Sequence, residues 1–158
     1  MVAANFLWNP GTSNNGLAAT AFNLMSTELN SLTTGSYAVS SGTFSNTSSV
    51  QSIWAELFLT LGAIGSALSA GANIAGWFLQ SYDGGTTYEQ ASVVPPRGPD
   101  FIIPLPVSTI SAATVWLSNG LVLVPALKYK VGVQNNTGQT LASSANTIKA
   151  APVNMQSL

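Results

Sequence analysis

The chain is 158 residues long, the size of one ordinary domain, and only nine residues are charged: Glu28, Glu56, Asp83, Glu89, Asp100, Arg97, Lys128, Lys130 and Lys149. It holds no Cys and no His, which excludes disulfides, thiolate or imidazole metal sites, Cys nucleophiles and every Ser-His-Asp arrangement. With a net charge of −1 and no basic cluster, nucleic-acid binding is not expected; 35 Ser or Thr, 13 Asn and 6 Gln suit a surface packed against neighbours in an assembly.

Residues 1–16 read as an arm. A short apolar plug, Phe6-Leu7-Trp8, precedes an Asn/Gly/Ser/Pro-rich stretch, and these three side chains are candidate anchors on a neighbouring subunit. The segment lacks a basic n-region and Asn9-Pro10-Gly11 ends its apolar run early, so a secretory signal is not expected. The Asn-x-Ser/Thr triplets at Asn46 and Asn135 are therefore given no weight.

From 18 to 32, apolar residues fall at Phe22, Met25, Leu29 and Leu32, and steps of three and four predict one short helix. Residues 35–49 read as a short strand and loop around Tyr37, Val39 and Phe44. Over 52–61 strict alternation predicts a strand, with Ala55, Leu57, Leu59 and Leu61 on one face and Trp54, Glu56, Phe58 and Thr60 on the other. A second strand over 74–81 sets Ala75, Trp77 and Leu79 against Phe78 and Gln80. Aromatics on both faces require both to be covered, by a second sheet or by a partner. The uncharged run from Leu57 to Tyr82 is long enough to span a bilayer, but four glycines interrupt it and no Lys or Arg flanks it, so no membrane span is expected.

The prolines at 95, 96 and 99 stiffen a candidate interface loop around Pro96, Arg97 and Pro99, and Pro104 and Pro106 confine the extended stretch after it to a sheet edge. Asn119-Gly120 between two apolar runs predicts a hairpin of 114–117 with 121–124. Residues 127–134 alternate again, with Tyr129, Val131 and Val133 inward, and a last strand is expected over 139–150. These elements predict a mainly β chain, an antiparallel β-sandwich of jelly-roll or immunoglobulin-like type with one short N-terminal helix and an extended N-terminal arm. The expected organisation is an arm at 1–16, a single sandwich domain at 17–150 and a tail at 151–158.

The sharpest local motif is Ser81-x-Asp83-x-Gly85-x-Thr87-Tyr88, which resembles the Asp-box turn of sialidases and other β proteins. The Asp accepts backbone N–H groups, glycine permits positive φ, and the aromatic packs beneath. Its role is structural. Asp83, Thr86 and Glu89 do not have the spacing of a calcium loop, and no two acids have a spacing that selects them for glycoside hydrolysis. No catalytic residue, metal or cofactor is expected, and the chain reads as a non-enzyme.

Four stretches, 76–79, 83–89, 96–105 and 130–138, together resemble small virion proteins of tailed bacteriophages, and 26–32 with 53–58 extend the likeness toward the N-terminus. The resemblance implies a capsid cement or decoration protein on the outer face of the major capsid shell, made in the host cytoplasm. Its partners would be the major capsid protein and itself, as a dimer or trimer. The alternative is a tail- or fibre-associated β module that binds host glycan, which a row of exposed Trp or Tyr beside Asn and Asp would favour.

Overall fold

A computed structural model describes residues 6–9, 21–46, 54–89, 92–111, 114–118 and 120–157. Eleven strands follow one another: β1 (Phe6–Asn9), β2 (Phe22–Met25), β3 (Tyr37–Val39), β4 (Phe44–Ser45), β5 (Trp54–Leu61), β6 (Asn73–Ser81), β7 (Phe101–Pro104), β8 (Thr114–Leu117), β9 (Val122–Leu123), β10 (Lys128–Asn136) and β11 (Thr147–Ser157). They form two antiparallel sheets. In sheet 1, β11 lies beside β5, with β1 and β2 along its other edge and β8 and β9 along the far edge of β5. In sheet 2, β10 lies beside β6, flanked by β3 and β4 on one side and by β7 on the other.

The pairings are nested: β2 with β11, β3 and β4 with β10, β5 with β8 and β9, and β6 with β7. A long hairpin wound around itself into two facing sheets has this order, which is that of a jelly roll. Of the two sandwich types the sequence allows, strand order selects this one.

Alternation in the sequence explains which faces meet. Ala55, Leu57, Leu59 and Leu61 of β5 are buried against Ile74 and Phe78 of β6 and Tyr129, Val131 and Val133 of β10. Rings run in series across the sandwich, Phe22, Phe44, Tyr129, Phe78 and Phe101, with successive centroids 5.9, 5.6, 5.2 and 5.6 Å apart. Such tilted and edge contacts add to the area that the rings bury.

Three expectations are corrected. The helix over 18–32 is not formed in its described part: Phe22–Met25 is β2, and Thr27–Leu29 is a single 3-10 turn that Ser31, at φ 56°, brings to an end. Pairing with β11 outweighs a weak local preference in a Thr- and Asn-containing segment. Asn119-Gly120 does not close a hairpin, because β8 and β9 both pair with β5, as one strand interrupted by a bulge. The Ser118 hydroxyl accepts from Leu57 N–H at 3.3 Å and donates to Gly120 C=O at 2.8 Å, filling the gap in the ladder.

The last strand starts at Thr147 rather than 139 and runs to Ser157, through the expected tail. Pro152, which argues against a strand interior, falls between the stretches of β11 that pair with β2 and with β1, where β11 has a neighbour on one side only. The arm's Phe6–Asn9 pairs with Asn154–Ser157 of the same chain. The side chains of Phe6, Leu7 and Trp8 lie outside the described residues, as do residues 1–5 and 10–16 of the arm.

Candidate interaction surface

The two sheets treat their outer faces differently. On sheet 2, Ala75, Trp77 and Leu79 point away from the core yet are buried, because Tyr37, Val39, Tyr88 and Val94 pack over them. Tyr88 and Val94 belong to the connection from β6 to β7, which folds back over its own sheet. The Asp83 turn starts that fold-back. Asp83 Oδ1 accepts from the Ser81 hydroxyl at 2.8 Å and from the amides of Thr86 and Thr87 at 3.0 and 2.9 Å, while Oδ2 accepts from the Thr87 amide at 3.0 Å and its hydroxyl at 2.5 Å. The Thr87 hydroxyl first, then its amide and the Ser81 hydroxyl, hold this exposed carboxyl well below the usual carboxylate range.

Gly85, at φ 103°, donates to the Ser81 hydroxyl at 2.8 Å, and Glu89 N–H returns to Gln80 C=O at 3.0 Å. Tyr88 Oη and Thr43 Oγ1 lie 2.9 Å apart, and Lys130 Nζ sits 5.2 Å above the Tyr88 ring. Both oxygens of Asp83 thus face the turn, not a shared site with Glu89.

Arg97 fixes the other end of the connection. Its guanidinium donates to Glu89 at 2.8 and 3.2 Å, to Asp100 at 2.5 Å and to Phe78 C=O at 3.0 Å. Asp100 in turn accepts from Phe78 N–H at 2.7 Å, and Trp77 Nε1 donates to Arg97 C=O at 3.1 Å. Hydrogen bonds from Glu89 and then Asp100 raise the Arg97 pKa further, so it is always a cation. Of the candidate interface loop, Pro96 and Pro99 are exposed while Arg97 is turned onto its own sheet.

Among the described residues the outer face of sheet 1 has no such cover. On β5 the outward residues are Trp54, Glu56, Phe58 and Thr60, each partly exposed. Register sets Leu123 beside Trp54, Leu117 beside Phe58 and Val115 beside Thr60. On the other side of β5, Val153, Ala151, Lys149 and Thr147 stand opposite Trp54, Glu56, Phe58 and Thr60. Leu123 is 59%, Val115 53% and Leu117 47% exposed. Isolated exposed aliphatics are ordinary, but a contiguous row on one sheet face marks an interaction surface. Glu56 and Lys149 are the charged residues at these positions, and neither forms an ion pair among the described residues. Alternation over 52–61 pointed to a second face in need of cover, but β8 and β9 were read as a hairpin with each other, so the row they build beside β5 was not seen.

Surface grooves of about 150, 190 and 240 Å³ among the described residues are smaller than the ~300–1,000 Å³ of typical ligand pockets. Among the described residues no three His, Cys, Asp or Glu side chains gather to hold a metal ion, and no helix is long and apolar enough to cross a membrane. Comparison with family models, with curated proteins and with solved structures gives no match to this chain.

Proposed function

We propose that the chain is a structural virion protein of a tailed bacteriophage, a cement or decoration module that binds the outer surface of the major capsid shell and stabilises it. The observation that carries the reading is the uncovered apolar face of sheet 1 on a sandwich whose other outer face its own chain covers. A rigid body with a flat, nearly uncharged contact face serves adhesion, and many copies on a lattice need only modest affinity each. The carboxylates of Glu28, Asp83, Glu89 and Asp100 all accept hydrogen bonds from the chain around them, Glu28 from Ser41 and Asp100 from Phe78 of β6, which is an architectural use. Jelly rolls also occur in lectin domains, but no glycan platform of several exposed aromatics is found among the described residues. Tyr82 is 81% exposed, whereas Trp77 is buried and Trp54 and Trp116 are partly buried.

A cryo-electron map of the particle that carries this chain tests the proposal. The expected result is jelly-roll density at fixed lattice positions on the outside of the shell. Density for the chain on the tail or fibres, or none on the particle, would overturn it.

A further inference from the structure

The row of Val115, Leu117 and Leu123 beside Trp54 and Phe58 is exposed on the described part of sheet 1. Its charges say what fits it. Glu56 faces Ala151 across the β5–β11 ladder, and Lys149 faces Phe58, so acid and base are diagonal neighbours on the same face. Diagonal positions on adjacent strands lie about 7–8 Å apart. A two-fold axis lying in the plane of the face, midway between these two residues, exchanges their positions. Each Glu56 then meets the Lys149 of the other copy, and Phe58 and Leu117 come to lie near their own counterparts beside the charges. A face with one acid and one base so placed is complementary to itself.

We infer that the outer face of sheet 1 is a two-fold contact with a second copy of this chain, two sheets stacked face to face with two Glu56–Lys149 ion pairs near the centre. Because this axis is perpendicular to the Glu56–Lys149 diagonal, the strands of the two copies cross steeply, as in orthogonal sheet packing, with the sheets about 10 Å apart. Four strands by seven residues give a flat footprint of about 450 Å² per copy before side-chain relief is counted. That lies at the small end of specific interfaces, so the dimer is of micromolar rather than nanomolar strength. The contact names the self-association partner in the proposed assembly, yet it is a property of the isolated chain and is testable without a shell.

Sedimentation velocity on the full-length chain from about 1 to 200 μM, with thermal melting as a check on folding, tests the contact. The wild type is expected to pass from monomer to dimer over this range. Glu56→Lys sets like charges opposite each other twice, as does Lys149→Glu, and each should weaken the dimer about tenfold or more with an unchanged melt. Mixed together, the two variants should recover a dimer, because each supplies the charge that the other lacks. Leu123→Ser should weaken association without involving charge. A wild type that stays monomeric at 200 μM overturns the inference and leaves the face to a different protein. Association that ignores both charge reversals, or a mixture that fails to recover it, overturns the two-fold pairing. None of these outcomes decides whether the chain sits on a capsid, which the particle map alone reads.

Discussion

Replacing Asn135 tests how the loop end of the sandwich is held. Asn135 is fully buried at the end of β10, and its side chain makes three bonds to main chain. Nδ2 donates to Leu32 C=O and to Gln139 C=O, both at 2.8 Å, and Oδ1 accepts from Thr137 N–H at 3.0 Å. It therefore ties the β2–β3 connection to the β10–β11 connection. Asn135→Ala orphans the buried Thr137 N–H, while Leu32 C=O keeps the Leu141 amide at 3.0 Å and Gln139 C=O keeps the Thr137 hydroxyl at 2.9 Å. An orphaned amide costs about 1–3 kcal/mol and each lost second bond adds less, so about 2–4 kcal/mol is expected in all. For a domain of this length that lowers Tm by roughly 5–15 °C. Asn135→Asp keeps the acceptor for Thr137 but points a carboxylate at two carbonyl oxygens. Its folded pKa should lie above its unfolded one, so the variant is most stable below about pH 4 and loses stability as pH rises. Urea unfolding followed by Trp fluorescence, at pH 3.5 and pH 7, measures both. A loss below about 1 kcal/mol for Asn135→Ala, or an Asp variant that gains stability with pH, would refute the bridging role.

Glu28 should give the opposite pH trend. Burial opposes its ionisation, but the Ser41 hydroxyl and the amides of Ser26 and Ser41 outweigh it and bring its pKa down to about 2 from 4.5. Its stabilisation is complete above pH 4.5 and lost as pH falls through 2, about 1–2 kcal/mol after discounting for solvent screening; Glu28→Gln should flatten the wild-type fall in unfolding free energy between pH 5 and 2. The buried Tyr37 hydroxyl has no hydrogen-bond partner, so Tyr37→Phe should be neutral or stabilising by up to ~1 kcal/mol in urea midpoints. Gly132→Ala would set a methyl 1.8 Å from that oxygen and 2.5 Å from its ring carbon, so it should destabilise by about 3 kcal/mol in the wild type and less beside Tyr37→Phe. For the Asp83 turn, melts should rank wild type above Asp83→Asn above Asp83→Ala, alike with calcium and with chelator; a wild-type midpoint that drops on chelation would contradict a turn held by its own amides.

The core was legible because period-two alternation is a strong signal where one face of a strand is buried. The inward sets of β5 and β10 are those that the sequence marks. Pairing was less legible. Nothing local in Asn119-Gly120 distinguishes a hairpin turn from a bulge, and only the long edge of β5, available to both flanking segments, decides it. Residues 139–146 looked like strand because of their polar alternation, yet Asn146 pulls them into a loop. It accepts from Gly62 N–H at 3.0 Å and donates to Ala142 C=O at 2.7 Å, a side chain acting as main chain. The Asp83 motif was readable as a turn, but its place in a 19-residue cover, residues 82–100, depends on Arg97, Glu89 and Asp100 meeting across the connection.

The asymmetry between the sheets follows from one connection. The β6–β7 segment is long enough to fold back, and the Asp83 turn at one end and the ion pairs of Arg97 with Glu89 and Asp100 at the other hold it there, so Trp77 and Leu79 are covered within the chain. On sheet 1, β8 and β9 both pair with β5 and so stay within the sheet, and no described connection folds over its outer face. The aliphatics left there are each about half covered, and closing them against a second copy adds to what Trp54 and Phe58 bury, while lost translational and rotational freedom opposes it. Such a contact is weak in dilute solution and is strengthened on the proposed lattice, where copies are held at high local concentration. A more polar face would not associate under those conditions, and a larger apolar one would associate before assembly.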